Sequence, residues 1–65
     1  MDTRKYIFTK NRLTDEPDTA PMTFDETVRE MGIRCYGFTQ KRREKILATL
    51  EVGQVLSWFC VIRIS

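Results

Sequence analysis

Lys41, Arg42, Arg43 and Lys45 crowd the stretch directly after Thr39, and Tyr36 and Phe38 precede them. Thr39 reads as the cap of a helix running from Gln40 to about Val52 and closed by Gly53. These cations face the positive end of that helix's dipole while Glu51 faces the negative end, the reverse of what a helix tuned only for its own stability carries. Free amides at a helix start, the Thr39 hydroxyl and the neighbouring cations describe a place where a phosphate or carboxylate could sit. Arg34 adds to that set, as do Arg4, Lys5, Lys10 and Arg12 if the first strand ends nearby. Tyr36 and Phe38 would supply stacking faces for bases. The competing reading is a solvated helix face, because Lys41 and Lys45 lie opposite the apolar stripe of Ile46, Leu47 and Leu50. A third is self-complementarity, with the acidic stretch from Asp15 to Glu30 docking on the basic stretch from Arg34 to Lys45.

Catalytic chemistry finds little to work with. The chain has no His, the commonest general base, and neither Ser57 nor Ser65 has a basic neighbour that would activate it. Asp15, Glu16 and Asp18 cluster, but beside Pro17 and without the glycine and distal Glu of a calcium loop, so they read as solvating charge. Cys35 and Cys60 form no CxxC pair, which leaves a zinc site without ligands. Arg34 would favour a thiolate at Cys35, but both cysteines read first as small apolar side chains, reduced and unbridged. Gly32, Gly37 and Gly53 are too dispersed for a phosphate loop. The expectation is a non-enzymatic protein with no cofactor and no metal.

The elements that would position these residues come next. Arg4 to Thr9 mixes β-branched and aromatic residues and predicts a short strand, with Tyr6 and Phe8 on one face and Ile7 on the other. Residues 11–23 form an acidic, Pro-containing loop with no sustained period. Thr23-Phe24-Asp25-Glu26 matches a capping box, and Phe24, Val28 and Met31 continue at helical spacing. Gly32 stands where a left-handed closing residue belongs, with Ile33 able to cover Val28, so the first helix is predicted over 24–31. The aromatic link from Ile33 to Phe38 predicts a turn packed on the core. At seven residues, Gly32 to Phe38 is too long for a helix-turn-helix junction.

Gln54 to Ile64 is dense in β-branched and aromatic residues and predicts one long terminal strand, too short and too polar to cross a membrane. Alternation would put Leu56, Trp58, Cys60, Ile62 and Ile64 on one face and Val55, Ser57, Phe59, Val61 and Arg63 on the other. Both faces are apolar, whereas two short helices cover only one, and a two-stranded sheet is marginal by itself. Trp58, Phe59 and Val61 are therefore the candidate protein interface.

With 65 residues there is room for one domain, residues 1–65, and a chain this small buries only about 60% of its unfolded surface. The predicted fold class is α+β, ordered β-α-α-β, a two-stranded sheet, extended across a dimer in one version, packed on two short helices. No apolar run near Met1 resembles a signal peptide, which points to the cytoplasm. The net charge of +2 is too small to argue for nucleic acid by itself. The leading expectation is a small regulatory or inhibitory protein that binds a larger protein, as a homodimer and away from membranes. The alternative is a nucleic-acid-binding regulator using Arg34, Tyr36, Thr39, Lys41, Arg42, Arg43 and Lys45.

Overall fold

The computed structural model describes residues 2–11, 13–14 and 16–65. The chain is an α+β domain in which strand β1 (Tyr6–Phe8), helices α1 (Phe24–Arg34) and α2 (Gln40–Ala48), and strands β2 (Val55–Leu56) and β3 (Val61–Arg63) follow in order. The order is therefore β-α-α-β-β rather than β-α-α-β. The sheet has three antiparallel strands, β1-β3-β2, rather than two.

The difference arises between Ser57 and Cys60. The predicted terminal strand breaks there into a hairpin: Phe59 N–H donates to the Leu56 carbonyl at 3.2 Å, and Cys60 takes φ 58°, a left-handed conformation that costs a non-glycine residue about 1–2 kcal/mol. The Cys60 carbonyl accepts from Thr9 N–H at 2.8 Å and so ties the turn to the end of β1. Four residues of turn reset the alternation on which the two-faced strand rested.

The register fixes both faces of the sheet. Phe8, Val61 and Leu56 sit opposite one another across the three strands and face the helices. They join Tyr6, Val28, Met31, Leu47, Leu50 and Phe59 in one core. Ile7, Ile62 and Val55 form the alternate row, and successive strand side chains point to opposite faces, so this row lies on the outer face. The predicted sides of β1 are those found. The Tyr6 hydroxyl is buried without a hydrogen-bond partner among the described residues, and burial pushes its phenol up despite the nearby Arg4 guanidinium.

Helix α1 starts where its capping box places it: Thr23 Oγ1 accepts from Glu26 N–H at 3.2 Å, and Thr23 N–H donates to Glu26 Oε1 at 2.9 Å. It runs past the predicted stop, through Gly32 to Arg34, and Ile33 is exposed instead of covering Val28. Gly32 meets a steric demand rather than a turn. A Cβ there would lie 2.8 Å from the Arg43 guanidinium carbon, because Arg43 crosses α1 at this notch. Helix α2 ends at Ala48, four residues before the predicted Val52, with Thr49 as its C-cap. Gly53, at φ 85°, serves the following turn, where Gln54 N–H donates to the Glu51 carbonyl at 2.9 Å.

The 11–23 loop follows β1 closely. Tyr6 and Met22 exchange backbone hydrogen bonds of 2.9 and 2.8 Å, and Asp18 N–H donates to the Phe8 carbonyl at 2.7 Å. No helix among the described residues is long and apolar enough to cross a membrane.

Candidate functional site

The seven residues of the predicted anion site do not form one site. Arg34 is engaged by the fold: its guanidinium donates to Glu30 Oε2 and Asp18 Oδ2, both at 3.0 Å, and stands over the Phe8 ring at 4.2 Å from the centroid. Burial is the largest single influence on its pKa and lowers it, but its two carboxylate partners together outweigh burial and raise it. Arg43 is engaged as well, donating from Nε to the Val28 carbonyl at 3.0 Å and from Nη1 to the Phe38 carbonyl at 2.6 Å. It thereby joins α1, the link and α2. Thr39 is the predicted cap, its Oγ1 accepting from Arg42 N–H at 3.2 Å.

Lys41, Arg42 and Lys45 make no ion pair among the described residues, and all three are exposed. Arg42 stands over the Phe38 ring at 5.5 Å from the centroid, and Phe38 in turn meets Phe59 at 5.4 Å. Tyr36, 89% exposed, lies two residues before that contact, and Trp58, 71% exposed, lies one residue from it. The link, the first turn of α2 and the hairpin tip therefore meet through the Phe38–Phe59 contact. A groove of about 490 Å³ between the helices is no extension of this basic end, since Asp25 and Glu44 line it together with Arg29 and Arg43.

Of the other proposed contributors, Arg4 forms a two-pronged pair with Asp2, at 2.9 and 2.7 Å, and lies over the Phe24 ring. These hydrogen bonds hold the Asp2 carboxyl down at about 2. Lys10 pairs with Glu16 at 3.0 Å. Arg12 and Asp15 lie outside the described residues. Among the described residues, self-complementarity between the acidic and basic stretches is realised at Arg34, which reaches both Glu30 and Asp18.

The predicted protein interface also divides. Phe59 is 6% exposed and Val61 fully buried, so both are core residues and offer nothing to a partner. Trp58 alone of the three points outward. The apolar face turned away from the helices is instead the row Ile7, Ile62 and Val55, with Ile7 and Ile62 half-buried, Val55 46% exposed and Ile64 continuing the side of Ile62. Alternation within 61–64 and 6–8 would have found Ile7, Ile62 and Ile64, but only the hairpin brings Val55 beside them. Cys35 and Cys60 are both free thiols.

The surface thus offers two features suited to binding: an aliphatic row on the outer sheet face, and a basic end carrying two exposed aromatic side chains. Compared with known proteins, the chain matches no family model, no curated protein and no solved structure.

Proposed function

We propose that this chain is a small non-enzymatic regulatory or inhibitory protein that works by docking onto another protein, with the outer face of its sheet as the contact. The observation that carries this reading is the Ile7–Ile62–Val55 row, which crosses all three strands on the side the helices do not cover. A one-layer sheet in a small domain normally wets its second face with polar residues. Aliphatic side chains at all three positions favour a second protein layer, and stacked sheets meet at about 10 Å with such rows interleaved. The same face on a second copy supplies one such layer, which makes a homodimer the simplest assembly and a larger protein the functional target.

Sedimentation velocity of the wild type and of Val55→Lys tests this directly. Val55 is exposed on a short edge strand, so the substitution should leave the fold within about 0.5 kcal/mol of wild type. The expected result is a wild-type dimer and a Val55→Lys monomer. A wild type that stays monomeric at high concentration overturns the homodimer.

A second reading rests on the basic end. Lys41, Arg42 and Lys45 are unpaired among the described residues, and exposed Tyr36 and Trp58 lie near them in sequence or through the Phe38–Phe59 contact. Phosphate contacts of this kind make affinity fall steeply with salt, whereas an aliphatic interface tolerates salt. Adding a generic duplex and a single-stranded oligonucleotide to the same sedimentation runs, in low and moderate salt, separates the two. Co-sedimentation at low salt that fades as salt rises would favour nucleic acid.

A further inference from the structure

The two edges of β1 are held by different means. Toward β3, β1 belongs to the sheet proper: Ile7 pairs with Ile62, Thr9 N–H donates to the Cys60 carbonyl at 2.8 Å, and Ile64 N–H donates to the Lys5 carbonyl at 2.8 Å. Its other edge is closed by residues 16–22, which contribute two isolated bridges, Tyr6 to Met22 and Thr9 to Pro17, in place of a strand. On that side the Tyr6 amide donates to the Met22 carbonyl, the Phe8 amide to Thr19 Oγ1 and the Lys10 amide to the Glu16 carbonyl.

The segment brings almost no apolar contact with it. Met22 is its one side chain packed against the core, while Glu16, Pro17, Asp18, Ala20 and Pro21 are all exposed. Its tie to the helices is electrostatic: Asp18 Oδ2 accepts from Arg34, which is braced by Glu30 and stands over the Phe8 ring. Regions with few buried apolar contacts and exposed backbone hydrogen bonds open below the free energy of global unfolding.

We propose that residues 16–22 form a strap that opens as a unit while the rest of the domain stays folded, and that the Arg34–Asp18 ion pair is its latch. Opening bares the outward backbone groups of Tyr6 and Phe8, an edge otherwise closed to strand pairing. Because the latch is a partly exposed ion pair, added salt shifts the strap toward open.

The alternating geometry of β1 provides its own control. Native-state hydrogen exchange reads the strap through the amides of Tyr6, Phe8 and Met22, and the sheet through those of Thr9 and Ile64. In the wild type the first group should exchange faster than the second. Asp18→Asn, which keeps the backbone donor and removes the charge, should speed the first group by about fivefold and leave the second unchanged. Raising NaCl to about 0.5 M should act in the same direction on wild type and have little effect on Asp18→Asn. Arg34→Gln, which also uncovers Phe8, should speed the first group further. Equal protection in both groups, or a parallel shift of both in Asp18→Asn, would show that the strap opens only when the whole domain does and would overturn the proposal.

Discussion

At the start of α1, Thr23 caps the helix and Glu26 completes the box, acidic side chains fill the first turn, and Arg34 occupies the last. At the start of α2, Thr39 caps in the same way, but the position of Glu26 is taken by Arg42, the first turn holds no acidic residue, and Lys41 stands beside the dipole's positive end. The first helix is charged for its own stability at both ends, whereas the first turn of the second is charged against it and only Lys45 in its last turn suits the dipole. The difference extends to how the cations are used. Arg34 at the end of α1 is held by two carboxylates, whereas Lys41, Arg42 and Lys45 on α2 make no ion pair among the described residues, and Arg42 meets only the Phe38 ring. Cations in the first turn of a helix cost it stability, and Lys41 and Arg42 stand there without an ion pair among the described residues, which is the physical basis for the second functional reading.

Around α2, side chains that carry the fold stand next to side chains that do not, and substitution of neighbours tests that contrast. Phe59→Ala removes the partner of Phe38 from the core and should cost about 3–5 kcal/mol, enough to unfold much of the population in a denaturant titration. Trp58→Ala, one residue away and exposed, should stay within about 0.5 kcal/mol in the same titration. Equal losses at the two positions would mean that the hairpin tip is packed differently.

Arg43→Met keeps the aliphatic stem but withdraws the donors from the Val28 and Phe38 carbonyls, and should cost about 1.5–3 kcal/mol. Arg42→Glu should instead gain about 0.5–1 kcal/mol, since it gives α2 the capping box that α1 already has. If the basic end binds an anion, the same substitution weakens that binding, so one variant would gain stability while losing affinity. A fall in melting temperature for Arg42→Glu would break the comparison between the helices.

The smallest effect is on pH dependence. Hydrogen bonds from Thr23 hold Glu26 below its usual 4.5, and those from Arg4 hold Asp2 at about 2 rather than 3.8. Depressed carboxyl groups stabilise the folded state above their unfolded values and lose that contribution as pH falls through the folded ones. Stability should therefore decline below about pH 4.5 and continue to decline toward pH 2, with Glu26→Gln removing the upper part of the decline. Arg42→Glu should add a second group of the same kind.

The sequence was readable where a local motif and the tertiary structure ask for the same residues. Thr23 and Glu26 mark the start of α1, Thr39 marks that of α2, and Tyr6 and Phe8 alternate with Ile7 on the sides found. It was misleading where one residue type serves two purposes. Gly32 looks like a helix stop because a left-handed closure wants glycine, yet here glycine makes room for a guanidinium from another helix. Ser57 to Cys60 contains no Gly, Pro, Asn or Asp to announce a turn, and its β-branched and aromatic flanks hide the left-handed Cys60. That single unmarked turn moved Phe59 and Val61 from the predicted interface into the core. It also brought Val55 alongside Ile62 and Ile7.

The pairing of β1 with β3 also governs how the domain forms. Tyr6 meets Arg63 and Lys5 bonds to Ser65, so almost the whole chain must be looped before the central strand pair exists. The two helices, neighbours in sequence and joined by Arg43, need no such closure. Closing that loop is therefore the expected slow step of folding, because long loops are closed before their contacts repay the lost entropy. Substitutions at the helix contact should alter folding rates most, whereas those at the β1–β3 pairing should act mainly on unfolding.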